Sequence, residues 1–94
     1  MSKNTNIYNL NTYGDGKSFY NKAKVIEDLD TDIIYLKSYS TLVAKIEGGI
    51  FFKLWDGYSD TTMRHIRAFL KEFDIPLPGT KKWWKEMYCS GAEA

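Results

Sequence analysis

Residues 57–70 read Gly-Tyr-Ser-Asp-Thr-Thr-Met-Arg-His-Ile-Arg-Ala-Phe-Leu, and the fold prediction starts from this stretch. Ser59 is a favourable N-cap because its side-chain oxygen can accept from the free amides of a first helical turn. Asp60 places a negative charge at the positive end of the helix dipole. Apolar residues then recur at steps of three and four, which predicts an amphipathic helix over 60–73. These apolar residues are Met63, Ile66, Phe69, Leu70 and Phe73.

The segment before this helix predicts strands. Apolar and polar side chains alternate in four short runs separated by turn residues, as is typical of half-buried antiparallel strands. Gly48-Gly49 is a dipeptide suited to a tight hairpin. Strands followed by helices indicate an α+β fold, in which an antiparallel sheet is covered on one face by two helices. The predicted strands are 18–27, 33–37, 42–47 and 50–55.

Prolines separate the first predicted helix from a second. Pro76 and Pro78 cannot continue a helix, and Thr80 is the candidate N-cap of a shorter helix over 81–88. The alternation of the strands and the spacing of the helix together predict the core. Its predicted members are Val25, Ile34, Leu36, Leu42, Ala44, Ile46, Ile66, Phe69 and Leu70.

Length and composition predict one domain. A chain of 94 residues has room for a single core, which we place over 18–88. Residues 1–17 are rich in Asn, Thr, Ser and Gly and are predicted to form a flexible N-terminal arm. Residues 89–94 are predicted to be a disordered tail.

The charge balance and the single cysteine narrow the class of function. The chain has thirteen Lys and Arg and twelve Asp and Glu. The resulting net charge of +1 argues against strong non-specific nucleic-acid binding. Cys89 alone cannot form an intrachain disulfide, which indicates a reducing compartment. No apolar run is long enough to cross a bilayer, and no secretory signal opens the chain. We therefore expect a cytoplasmic protein.

One acidic segment invites comparison with a calcium loop. Asp28, Asp30 and Asp32 match the first three ligand positions of an EF-hand. However, Ile33 stands where that loop needs glycine, and Tyr39 stands where it needs a bidentate glutamate. A solvated hairpin turn is the better interpretation.

Other catalytic or metal chemistry has little support. One histidine and one cysteine do not make a transition-metal site. Cys89 lies near the end of the chain, where a nucleophile would be poorly held. His65 is expected to be a surface or half-buried hydrogen-bonding residue. We therefore expect no enzymatic activity, no metal and no cofactor.

Basic and aromatic residues concentrate in the two predicted helices. Bases of the first helix recur at steps of three and four and so share one face, while those of the second surround two adjacent tryptophans. Arginine and tryptophan often anchor interfaces, and cations over aromatic planes also suit nucleic-acid strands. The alternative is that the tryptophans belong to the core and the lysines only solubilise a short helix. The predicted partner-binding residues are Arg64, Arg67, Lys71, Lys82, Trp83, Trp84 and Lys85.

Three motifs carry a resemblance to a known family. They read Ser-Tyr-x-Thr-x-Val-Ala-x-Ile at 38–46, Trp-x-Gly-Tyr-Ser-x-Thr-Thr-x-Arg-His-Ile-x-x-Phe-Leu at 55–70, and Lys-Trp-Trp at 82–84. These motifs resemble those of small proteins from bacteriophages and other mobile elements, which are grouped as a domain of unknown function. The resemblance extends over residues 18–88. The resemblance supplies no catalytic or binding residues.

What the resemblance implies is a functional context. Small phage accessory proteins without catalytic residues commonly bind and block a host macromolecule, and inhibition of a defence nuclease, as by anti-CRISPR proteins, is the leading expectation. The alternative is a small nucleic-acid-binding regulator that uses the basic, Trp-containing helical face. The near-neutral net charge favours the first expectation.

Overall fold

A five-stranded antiparallel sheet in simple chain order carries the fold. The structure is a computed structural model, and it describes residues 4–10 and 22–90. Every strand pairs with the next one along the chain, so the sheet is a meander. The strands are β1 (Thr5–Asn9), β2 (Ala23–Asp28), β3 (Ile33–Ser38), β4 (Thr41–Glu47) and β5 (Ile50–Lys53).

Local chemistry sets the turns between strands. The Asp28 carboxylate accepts from the amides of Asp30 and Thr31 and so closes the β2–β3 turn. Gly48 and Gly49 connect β4 to β5 with φ angles of +61° and +78°. Positive φ at both central residues is what a type I′ hairpin requires, so the predicted glycine hairpin is confirmed.

Two capped helices follow the sheet, as predicted. Helix α1 spans Asp60–Glu72, and the Ser59 side chain accepts from the Thr62 amide at 3.0 Å. Helix α2 spans Lys81–Glu86, with Thr80 as its N-cap. Both helices end earlier than their predicted bounds, 60–73 and 81–88. Neither has the length and apolar character needed to span a bilayer.

The two helices and one face of the sheet enclose the core. Val25, Leu36 and Ala44 of the sheet are fully buried, as are Ile66 and Phe69 of α1. This confirms most of the predicted core. The buried cluster also holds residues that the prediction left out, namely Leu10, Ala23, Val43, Phe51, Met63, Ala68 and Trp84.

A β-bulge explains where the core prediction was wrong. Leu36 pairs with Ala44, but Lys37 pairs with Leu42, so Val43 is an extra residue in β4. The bulge shifts the alternation by one position, which turns Val43 into the core and leaves Leu42 only half-buried. Ile34 lies at the core margin and is also half-buried.

The predicted N-terminal arm contains a strand. Thr5–Asn9 pairs with β2, and the Leu10 amide donates to the Ala23 carbonyl at 2.9 Å, so the sheet has five strands rather than four. Asparagine-rich sequences have low strand propensity, and β1 is held by pairing instead. The Asn6 side chain, for example, donates to the Glu27 carboxylate across the strands at 2.9 Å.

The first residue of the predicted disordered tail is folded. Cys89 is buried and forms a parallel bridge with Lys53, so it belongs to the folded domain rather than to a disordered tail. The remaining arm and tail residues, 1–3, 11–17 and 91–94, lie outside the described residues. So does the first part of the strand predicted over 18–27, which within the described residues begins at Ala23.

Phe69 provides the direct test of this core. The residue is fully buried, and its ring lies 6.4 Å from that of Phe51 and 5.2 Å from that of Phe73. Phe69→Ala should lower the free energy of unfolding by about 3–5 kcal/mol, because it removes buried apolar surface and leaves a cavity. Chemical denaturation measures this loss. A loss below about 1 kcal/mol would place Phe69 outside the core.

Candidate macromolecule-binding surface

Helix α1 presents a basic stripe to solvent. Arg64, Arg67 and Lys71 are all exposed, and they lie opposite the apolar residues that α1 buries. Asp60 begins the same stripe, since positions i, i+4, i+7 and i+11 fall on one side of a helix. The prediction that these three bases share a helical face agrees with this pattern of exposure.

Arg67 is held against the connector that leads into α2. Its Nη1 donates to the Gly79 carbonyl at 3.2 Å. Gly79 has a φ of +66°, and a Cβ at this position would lie 2.6 Å from the Arg67 Cγ. Glycine is therefore required both for the turn and for the close approach of the arginine stem.

Tyr58 joins the two helices on the same side. Its hydroxyl donates to the Asp60 carboxylate at 2.8 Å. The Lys81 Nζ lies 5.1 Å from the centroid of its ring and the Lys85 Nζ lies 5.7 Å from it, distances suited to cation–π attraction. We call Tyr58, Arg67, Lys81 and Lys85 the Tyr58 cluster.

The ionisation of Tyr58 reflects these neighbours. The hydrogen bond to Asp60 raises the pKa of the phenol, because it favours the neutral donor. Partial burial and the negative charge of Asp60 act in the same direction, while the positive charge of Arg67 opposes them. The hydroxyl therefore stays protonated at neutral pH, and the ring remains available to both lysines.

Trp84 is part of the core, so it was wrongly included among the partner-binding residues. It is 1% exposed, and its indole Nε1 donates to the Gly57 carbonyl at 2.8 Å. Its ring also contacts Phe51, with the centroids 6.5 Å apart. The helical spacing turns Trp84 toward the sheet while its neighbour Trp83 remains half-buried.

The two remaining predicted lysines of α2 lie on different sides of the helix. Lys85 lies over Tyr58, whereas Lys82 lines an open groove of about 360 Å³. Trp83 and Met87 form the apolar part of this groove, which Thr80 and Glu86 complete. The structure thus brings Lys85 together with the stripe on α1, and it places Lys82 and Trp83 apart from them.

A buried lysine that the sequence analysis did not identify positions α2. Lys53 is 1% exposed, and its Nζ donates to the carbonyls of Trp84 at 2.7 Å and Met87 at 3.3 Å. Asp56 Oδ1 lies 3.3 Å from the same nitrogen. Lys53 lies two residues after the buried Phe51 in β5, so strand alternation turns both side chains toward the core. That alternation was the available signal.

A second buried polar cluster joins β3 to α1. Ser38 Oγ lies 2.8 Å from His65 Nδ1 and 3.0 Å from Thr62 Oγ1. His65 is fully buried, so the expectation of a surface or half-buried histidine was wrong. Ser38 and Thr62 also line a cavity of about 220 Å³ whose walls include Tyr39, Trp55 and Tyr58.

This polar cluster makes a stability prediction. Ser38→Ala removes the hydroxyl that contacts His65 and Thr62, and a buried polar group left without its partner costs about 1–3 kcal/mol. We expect a loss of that size in the free energy of unfolding, measured by chemical denaturation. Ser40→Ala in the adjacent exposed turn is the matched control and should change stability by less than about 0.5 kcal/mol. Equal, small effects of the two changes would contradict a role for the cluster in holding α1.

Fold and surface together define a small α+β protein whose helical layer carries a basic, tyrosine-centred surface. Among the described residues, no group of three His, Cys, Asp or Glu side chains is arranged to hold a metal ion. The chain belongs to a family of unknown function, DUF8033, which matches residues 8–86. No curated protein and no solved structure matches it.

Proposed function

We propose that this protein is a non-enzymatic accessory protein of a phage or other mobile element that binds and inhibits a host macromolecule. The target that we propose is a defence nuclease, as for anti-CRISPR proteins. The working surface is the stripe of α1 together with the Tyr58 cluster. The observation that supports it best is the pair of lysines held over the Tyr58 ring beside Arg67.

Preorganisation is the physical reason to favour this surface. Free lysine and arginine side chains lose about 0.5–1.5 kcal/mol each in conformational entropy when a partner immobilises them. Contact with Tyr58 restricts Lys81 and Lys85, and the bond to Gly79 restricts Arg67, before any partner arrives. Folding has therefore already removed part of this side-chain entropy, so less is lost when a partner binds.

The charge of this region suits an acidic protein partner. Residues 59–88 contain six bases and four acids, a local excess of two positive charges in a chain of net charge +1. Local excess of this size favours recognition of acidic side chains over a restricted area. Nucleic acid without a protein component would be expected to require a larger basic excess.

The non-enzymatic part of the proposal concerns Ser38 and His65. Their 2.8 Å separation is the geometry of a nucleophile next to a base. However, Ser38 is 2% exposed and His65 is fully enclosed, and the Ser38 hydroxyl is also engaged by Thr62. We assign the pair to the packing of β3 against α1.

Charge reversal tests the proposed surface. Arg64→Glu and Lys85→Glu together should leave the fold intact, because exposed charges contribute little to stability. Inhibition of DNA cleavage should be measured across a panel of purified CRISPR-guided nucleases. The double reversal should raise the concentration needed for inhibition about tenfold or more, equivalent to about 1.4 kcal/mol. Arg64→Glu and Lys85→Glu should also be tested singly, and Lys22→Glu, at an exposed site beside Tyr39, is the matched control for each of them.

Two outcomes would contradict the proposal. If the double reversal inhibits as strongly as the parent protein, this surface is only solvated. If the parent inhibits no nuclease, the proposed target is wrong. Affinity capture from a host lysate, with and without nuclease digestion, then distinguishes a protein partner from a nucleic acid. Capture that digestion abolishes, together with a steep loss of affinity as salt is added, would favour the nucleic-acid-binding regulator instead.

A further inference from the structure

The face of the sheet away from the helices carries a second apolar surface. Both described helices pack on the other face, against residues such as Val25, Leu36 and Phe51. On the side that they leave, which we call the outer face, one row of cross-strand neighbours crosses all five strands. This row consists of Ile7, Ile26, Tyr35, Lys45 and Phe52.

The apolar character of this row is unusual for such a sheet. An antiparallel sheet with one face open to solvent normally carries polar residues there. Ile7 is instead 57% exposed, whereas Ile26 beside it is 6% exposed. Phe52 is half-buried, and its ring centroid lies 5.2 Å from the Lys45 ammonium. Lys45 is also neutralised by Glu47 at 2.9 Å, so it does not interrupt the row electrostatically. Apolar side chains that stay partly accessible on an outer sheet face are candidates for burial in an interface.

Charges of opposite sign flank the apolar row. Lys24 and Lys37 are direct cross-strand partners toward the β3–β4 end of the outer face. Like charges placed opposite each other destabilise a sheet, and an acidic group from outside would relieve that repulsion. The other end of the outer face, at the β2–β3 and β4–β5 turns, is acidic. Its exposed acidic residues are Asp30, Asp32 and Glu47, while Asp28 is buried in the β2–β3 turn.

We propose that the outer face binds a second copy of this chain. A two-fold axis that runs across the strands along the apolar row reverses the strand direction of one copy. That operation lays Lys24 and Lys37 over the acidic end of the partner, and it does so twice, as an isologous interface requires. The two apolar rows then pack face to face, as sheets do in a sandwich.

The size of the outer face sets the strength of this dimer. Five strands spaced about 4.8 Å apart and six residues long cover roughly 500 Å² per copy, or about 1,000 Å² in total. That area is at the lower limit for a specific interface, so the dimer is reversible rather than obligate. The outer face lies opposite the surface of the proposed function, and this inference does not depend on that proposal.

Sedimentation equilibrium over a concentration series tests the dimer. The parent protein should show a reversible monomer–dimer equilibrium. Lys24→Glu/Lys37→Glu makes both ends of the outer face acidic. Asp30→Lys/Glu47→Lys balances the charges of Asp28 and Asp32 at the turn end, so that Lys24 and Lys37 leave the outer face net positive. Each double variant alone should have a dimer dissociation constant at least about tenfold higher than the parent.

Mixing the two variants separates charge complementarity from damage to the fold. An equimolar mixture should recover dimers, because each acidic outer face now meets a basic one. Adding Ile7→Lys to both variants should abolish this recovery, since it places a charge in the apolar row at an exposed edge position that folding tolerates. Lys81→Glu/Lys85→Glu, which changes the same number of charges on the helical layer, is the control and should leave the parent equilibrium unchanged.

Three results would overturn the proposal. The first is a parent protein that stays monomeric throughout the series, even if the outer face then captures some other protein. The second is a dimer that Lys24→Glu/Lys37→Glu and Ile7→Lys leave unaffected, which would place the interface elsewhere. The third is a mixture of folded variants, verified by circular dichroism, in which no dimer returns.

Discussion

The hydrogen bonds of Lys53 hold the helical layer to the sheet. Its ammonium has three N–H donors, and it has three oxygen neighbours: the carbonyls of Trp84 and Met87 and the carboxylate of Asp56. The Nζ also lies 4.9 Å from the centroid of the Trp84 ring. Burial of an unpaired ammonium would cost several kcal/mol, so the strand and the end of α2 must stay together. A helix of six residues is too short to be stable alone, and its position therefore depends on this contact and on the burial of Trp84.

The same contact controls the surface that we propose as functional. The position of α2 decides whether Lys81 and Lys85 lie over Tyr58, and the turn that enters α2 places the Gly79 carbonyl next to Arg67. A buried lysine on one face of the sheet thus orders the exposed cations above it. The opposite face of the sheet is independent of this arrangement, since its apolar row depends only on strand register.

Sequence reasoning succeeded where the determinant is local. The caps Ser59 and Thr80 and the glycine hairpin fixed most element boundaries, because they act within a few residues. It failed where distant parts of the chain decide. The bulge at Val43 reverses the parity of β4, and the burial of His65 and Trp84 depends on how helices pack on strands. For the candidate site, the exposed bases of α1 follow from spacing, but the grouping of Lys85 with Tyr58, apart from Lys82, requires the orientation of α2.

Hydrogen exchange in Lys53→Met tests whether Lys53 holds the helical layer to the sheet. Methionine has a similar length and lacks the ammonium, and replacing a buried charge by an apolar isostere can leave global stability unchanged, so the local readout is the decisive one. The amides of Trp84 and Met87, which donate to the Thr80 and Trp84 carbonyls at the two ends of α2, should exchange at least about tenfold faster, equivalent to about 1.4 kcal/mol of local stability. Amides of β2 to β4 should keep their protection, and Lys45→Met on the outer face should change neither set. Unchanged protection of the α2 amides in Lys53→Met would show that Lys53 does not hold the helical layer in place.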